Sequence, residues 1–249
     1  MDWLDITLLI GAGLVAGIIN TLAGGGSLLS VPLLVFIGLP ADVANGTNRV
    51  GVLAQNATAM RGFQVAGIPG LRDALPVLAP VLVGSLVGAW AISLLDSEDF
   101  KRIFGVVMVA LLIPTLQSGM RRERADRPAR PRWSLGLRLV VFFLIGLYGG
   151  AIQAGVGLVL LIALERSGLD LVQANSIKVV IIFALTAVAI PVFIAQDQIQ
   201  WIPALCLVVG FAIGGRAGVV VAVRGGERVI RPMMAAAVIA MAGRMLGFY

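Results

Sequence analysis

Four groups of residues in this chain carry groups able to bind a ligand, and all four interrupt otherwise apolar sequence. The first is Asn20-Thr21-Leu22-Ala23-Gly24-Gly25-Gly26-Ser27, where consecutive glycines disfavour a regular helix. Backbone amides freed in such a turn can hold an anion, and a helix starting after Ser27 would point its positive end at the same place. The second is Asn45, Asn48, Arg49, Gln55 and Asn56, whose intervals of three, four, seven and eight residues put them on one polar stripe of a helix. Gln153 follows a second glycine pair, and Asn175, Lys178 and Thr186 repeat the helical spacing later in the chain.

The apolar context gives these residues their meaning. The chain is 59% hydrophobic and 13% charged, whereas about a quarter of the residues in a soluble domain are charged. Val77 to Leu95 and Val179 to Ala195 contain no charge at all, and about 20 such residues span a bilayer. An ionisable side chain inside such a segment costs about 2.5–3.5 kcal/mol on insertion scales, so it faces a cavity or a partner. No Asp or Glu lies in the middle of an apolar segment to neutralise Arg49 and Lys178. A bound anion can supply that charge, since guanidinium, ammonium and amide groups all donate hydrogen bonds to an oxyanion.

Hydropathy together with Gly, Pro and charge punctuation predicts segments at 4–22, 27–38, 43–61, 73–95 and 101–119, and again at 135–153, 156–168, 173–195, 200–223 and 227–247. The second segment of each set is too short for a comfortable crossing. Residue types repeat with the pattern: Gly17 to Asn20 corresponds to Gly150 to Gln153, Val43 to Gly46 to Gln173 to Ser176, and Gly84 and Gly88 to Gly210 and Gly214. The expectation is an all-α integral membrane protein filling 1–249 as a single membrane domain. Its first repeat covers 1–119, a basic linker 120–134 and a second repeat 135–249. Each half crosses an odd number of times, whether its short segment spans or re-enters, so the second half is expected upside down relative to the first.

Charge sets the expected orientation. Arg61, Arg72, the Arg121 to Arg132 loop, Arg166, Arg224, Arg228 and Arg231 fall in alternate loops, which places those loops in the cytoplasm and both termini outside. Arg216, about two turns from Arg224, reads as snorkelling to the same face. The four tryptophans fall near segment ends, as interfacial anchors do. The net charge of +6 follows from this topology, and no nucleic-acid partner is expected. Met1-Asp2-Trp3-Leu4-Asp5 lacks the basic region and cleavage site of a signal peptide, so the first segment is expected to be retained. With one cysteine, no histidine, no paired intramembrane carboxylate and no activated nucleophile, neither an enzyme nor a resident metal or cofactor is expected.

At Gly17 to Asn20, Leu22 to Leu29 with Pro32, Gly38-Leu39-Pro40 and Asn45-Gly46-Thr47-Asn48-Arg49 the chain resembles the sulfite exporter TauE/SafE family. A second copy, Gly149 to Gln153 and Asn175 to Lys178, extends the likeness over nearly the whole chain. It departs from the pattern at Ala154-Gly155-Val156-Gly157, which lacks the triple glycine, and in having no proline matching Pro32. The resemblance implies transport of sulfite, thiosulfate, sulfonates such as sulfoacetate or related organic anions across the bacterial plasma (inner) membrane. The expected site is Asn20, Thr21, Gly24, Gly25, Gly26, Ser27, Asn45, Asn48, Arg49 and Gln55, completed by Gln153, Asn175 and Lys178 from the second half. The competing expectation is a passive small-anion channel using the same cations. Partners are the anion and the bilayer, with small-residue faces that suit a homodimer but can equally be used within one protomer.

Overall fold

A computed structural model of the protein describes residues 2–120, 134–165, 169 and 171–225. These residues form α1 (Trp3–Ala23), α2 (Ser27–Phe36), α3 (Ala41–Val65), α4 (Leu71–Ser93), α5 (Ser97–Met120), α6 (Leu135–Ala151), α7 (Val156–Glu165), α8 (Leu171–Ala195) and α9 (Trp201–Val223). Each expected segment up to 223 is a helix at the expected place, and among the described residues there is no strand. The predicted segment 227–247, the Arg121 to Arg132 loop, Trp133, Arg166, Arg228 and Arg231 lie outside the described residues. Four helices, α1, α4, α8 (counted from Val172) and α9, are long and apolar enough to cross a membrane. By contrast α2 has ten residues, about 15 Å of helix against a hydrocarbon core of roughly 30 Å.

Local chemistry sets the ends. Asp2 and Asp5 form a capping box at the start of α1, satisfying backbone donors that the first turn leaves open. Ser134 accepts from the amide of Leu137 to start α6. Gly24, with φ of 77°, closes α1 in the left-handed conformation, which a side chain disfavours.

Contacts between small residues give the direction of each helix. Gly13 of α1 meets Leu207 and Gly210 of α9, Gly17 meets Phe211 and Gly214, and Gly218 meets Thr21, so α1 and α9 run parallel. Gly51 of α3 meets Leu207 and Phe211, and Gly62 meets Val219, so α3 runs the same way. Gly84 and Gly88 of α4 meet Phe143, Leu147 and Ala151 of α6 in ascending order. Ser85 of α4 donates to Leu185 O at 2.8 Å, while Gly70, just before α4, lies against Ser176 and Ile177. Hence α4, α6 and α8 are also mutually parallel. The two sets oppose each other, because Gly46 of α3 meets Phe193 and Gln198 at the far end of α8 while Ser176 donates to Ile68 O at 2.5 Å.

Two consequences follow. Since α1 and α3 run in the same direction, α2 must return the chain to the face from which α1 entered, and α7 does the same between α6 and α8. The most extensive helix pairs, α1 with α9 and α4 with α6, exchange with each other when every helix is replaced by its counterpart five positions along. Central α3 and α8 are buried nearly all round in the stretches 44–49 and 174–182. The glycines at 84, 88, 210 and 214 are occupied in packing within the chain, where small residues let backbones approach closely.

Charge is unevenly placed. Arg61, Arg72 and Arg224 lie at the end where α3 and α9 finish, together with Asp73 in the first turn of α4, whereas Asp42, Asp96, Glu98, Asp99 and Asp197 lie at the opposite end with Lys101 and Arg102. We expect Gly88→Ala, whose Cβ would enter the Leu147 carbonyl, to destabilise the protein by about 1–3 kcal/mol. Gly11→Ala on α1 has nothing within 4 Å of the new atom and should stay within about 0.5 kcal/mol of wild type. Unfolding midpoints in detergent measure both.

Candidate functional site

The site is built on two breaks in helices. The chain leaves α1 at Gly24 and re-enters helix at Ser27; it leaves α6 at Ile152 and re-enters at Val156, with positive φ at Gln153 (62°) and Gly155 (73°). The breaks meet: a Cβ on Gly24 would overlap the Gly157 backbone, and a Cβ on Gly157 would overlap that of Gly24. Gly26 is held as tightly against the Ala16 carbonyl and Asn20 Cβ, and the buried Gly25 accepts from Leu28 N. Only side-chain-free positions let the two irregular segments touch.

Each break leaves the last carbonyls of a helix without an intrahelical donor, in a place where lipid offers none. A cation from the other half meets them. Arg49 of α3, 0% exposed, donates Nη1 to Gly149 O at 3.1 Å and Nη2 to Gly150 O and Ala151 O at 2.6 and 2.9 Å. Its guanidinium carbon lies 4.4 Å from the Phe193 ring centroid, a cation–π distance. Lys178 of α8, also 0% exposed, donates to Asn20 O and Thr21 O at 3.1 and 2.7 Å and to Asn175 Oδ1 at 2.6 Å. The cations expected to face an anion thus also cap the C-termini of α6 and α1.

The amides complete two clusters. In one, Asn45 Nδ2 reaches Ala151 O at 2.9 Å, Gln153 Nε2 reaches Thr186 Oγ1 at 2.6 Å, and the Tyr148 hydroxyl donates to Ala154 O. In the other, Asn20 Nδ2 donates to Gln55 Oε1 and Gln55 Nε2 to Thr21 Oγ1, both at 2.7 Å, beside Lys178 and Asn175. Asn48 joins neither: it donates to Ser27 Oγ at 2.9 Å and accepts from Ser30 at 2.5 Å, fastening α2 to α3. The expected single stripe on α3 is therefore two faces. Asn48 and Gln55 face their own half, while Asn45 and Arg49 face the other, because adjacent positions are about 100° apart on a helix. Asn56 bonds to its own helix at Val52 O.

Beside the expected residues, Thr186, Phe193 and Tyr148 belong to the first cluster, and Ser30 joins Asn48 in fastening α2 to α3. Of these only Thr186 carried a spacing signal; a ring under a guanidinium leaves none.

In the first cluster Arg49 Nε is a buried donor without a partner among the described residues, and Asn45 Oδ1 and Gln153 Oε1 are buried acceptors without one. The electrostatics agrees with the spare donor. A helix C-terminus carries roughly half a negative charge, so the α6 end offsets only about half of the Arg49 charge. The arrangement has a rigidly held, incompletely neutralised guanidinium with one spare donor. Arg49→Leu should lower stability by about 1–3 kcal/mol for each carbonyl left without its donor, with Arg49→Lys losing less. Chemical unfolding of the purified variants measures the order.

Comparison with known proteins adds an independent line. Residues 9–245 match the family model described as Sulfite exporter TauE/SafE. A probable membrane transporter protein of Haemophilus influenzae is 27% identical over 247 residues, covering 97% of this chain and 94% of its own. Probable membrane transporter protein ORF9 of Sinorhizobium sp. is 24% identical, covering 97% and 92%, and probable membrane transporter protein YfcA of Escherichia coli K12 is 24% identical, covering 94% and 86%. No solved structure matches. The family match begins within α1 and runs past α9, so it takes in both helix breaks and both capping cations: the chain belongs to the sulfite exporter TauE/SafE family of membrane transporters.

Proposed function

We propose that the protein is a secondary transporter for a small oxyanion, sulfite or an organosulfonate such as sulfoacetate, working by alternating access between two inverted repeats. The observation that carries this reading is Arg49: fully buried, joined to another half's helix end, and offset by carbonyl dipoles and a ring instead of a carboxylate. The antiparallel course of α3 and α8 and the exchange of helix partners support the inverted arrangement.

The two clusters occupy different depths. The end of α6 lies beside Gly88, towards the acidic end of the bundle, whereas the end of α1 lies beside Gly218, towards the basic end. The Gly24–Gly157 contact joins the two breaks that carry them. In the proposed cycle the anion engages Arg49 Nε with Asn45 and Gln153, or Lys178 with Asn175 and Asn20, as one half rocks against the other. That side-chain-free closure favours a carrier over an open channel. Arg61, Arg72 and Arg224 at one end of the described bundle support a cytoplasmic basic face and an outer amino terminus in a bacterial inner membrane.

Transport by the purified protein in liposomes tests the reading. Uptake of labelled sulfite or sulfoacetate should saturate and accelerate when the same unlabelled anion is preloaded. Asn45→Ala and Gln153→Ala should each slow it by about tenfold, the effect of losing one hydrogen bond to a charged group. Flux that rises linearly with concentration, follows voltage and shows no counterflow would sink the carrier in favour of a channel. In intact cells, an impermeant maleimide should label Asp197→Cys and spare Gly225→Cys in a Cys206→Ser background; the reverse pattern overturns the orientation.

A further inference from the structure

Arg216 is absorbed by neither cluster. It borders a cavity of about 590 Å³ between the last turns of α3 and α9, which Arg61 and Arg224 also line. Helical spacing explains the convergence: Thr58, Arg61 and Val65 share a face of α3, and Arg216, Val220 and Arg224 share a face of α9. Gly62 against Val219 brings the two helices close enough for the faces to form one pocket.

The three guanidiniums are exposed, and none makes a hydrogen bond or ion pair with a described residue. No described lining residue is acidic. Both helices end here, and each C-terminus contributes roughly half a negative charge. Three full positive charges against these leave a net of about +2, so the pocket attracts an anion despite the helix ends. Apart from Thr58 the rest of the wall is apolar, and three of its valines face outward: Val65 is 83% exposed, Val220 47% and Val223 44%. Cations at the basic end of a bundle, flanked by outward-facing valines, match a molecule with a phosphate head and hydrocarbon tails better than a free ion. Basic pockets between membrane helices bind lipid headgroups in this way.

We propose that this cavity is a binding site for an anionic phospholipid, its phosphate held by Arg61, Arg216 and Arg224 and its acyl chains lying along Val65, Val220 and Val223. The site is distinct from the Arg49 and Lys178 clusters and does not depend on what the protein carries. Its floor is joined to the transport framework, since Thr58 donates to Ala212 O at 3.0 Å and Gln55 O at 2.9 Å. An occupied pocket would therefore brace α3 against α9 one turn from Gln55.

Native mass spectrometry of the full chain in neutral detergent tests this with phosphatidylglycerol, phosphatidylcholine and inorganic phosphate. Wild type should retain phosphatidylglycerol in preference to phosphatidylcholine. The triple variant Arg61→Gln, Arg216→Gln, Arg224→Gln should lose one such lipid or bind it about tenfold more weakly, the sum of modest exposed-charge effects. Arg72→Gln, an exposed arginine at the same end outside the cavity, should behave as wild type. Unchanged lipid binding in the triple variant, or equal loss in Arg72→Gln, overturns the site. Tight binding of inorganic phosphate without preference for phosphatidylglycerol overturns the lipid assignment and leaves a vestibule for soluble anions. Should the triple variant fail to fold, Arg216→Gln alone carries the same comparison.

Discussion

A helix that stops among buried apolar residues leaves carbonyls that those neighbours cannot satisfy, and α1 and α6 both stop in the buried core. The rest of the structure answers that one difficulty. Water would solve it at a surface, and lipid cannot. Here the answer is reciprocal: α3 of the first half sends Arg49 to the end of α6, and α8 of the second sends Lys178 to the end of α1. Each half is thereby incomplete without the other. The exchange also removes much of the penalty for burying the two cations, because a C-terminal dipole is a favourable neighbour for positive charge.

Close packing follows from the same arrangement. Side chains can reach across the interface only if the backbones approach, and between apolar helices in lipid there is little hydrophobic force to draw them together. Glycines at 13, 17, 210 and 214 bring α1 against α9, and those at 84, 88, 146 and 150 bring α4 against α6. Dispersion over these long contacts, together with hydrogen bonds such as Ser85 to Leu185, holds the framework on which the capping cations depend.

Much of the fold was legible because hydrophobic length and glycine punctuation are local signals. The break at Gly24 to Gly26 and the shortness of α2 and α7 could both be read from the residues in place. The need for an explanation at Arg49 and Lys178 was also plain, since each is an ionisable residue inside a segment that has no carboxylate in its middle. What they bond to was not, for backbone carbonyls leave no mark on a sequence. Register was misleading too. The repeat aligns Lys178 with Asn48 instead of Arg49, one residue and about 100° apart on a helix, so the two halves reach equivalent ends from inequivalent positions. The same rotation divides the polar residues of α3 between its own half and the other.

The contact of Gly24 with Gly157 also has an electrical meaning. Both clusters are buried here; were water to reach each from its own side during the proposed cycle, the membrane voltage would fall across the layer where the glycines touch. The field there would be far steeper than across the full bilayer. An anion passing from one cluster to the other would then traverse most of the voltage in one short step, worth about 2.3 kcal/mol per unit charge for each 100 mV. Among the described residues the buried core holds Arg49 and Lys178 but no Asp or Glu, so it offers no carboxylate to take a proton or sodium ion back. For the proposed transporter, the resting potential of the cell would itself act as a force that drives anions outward.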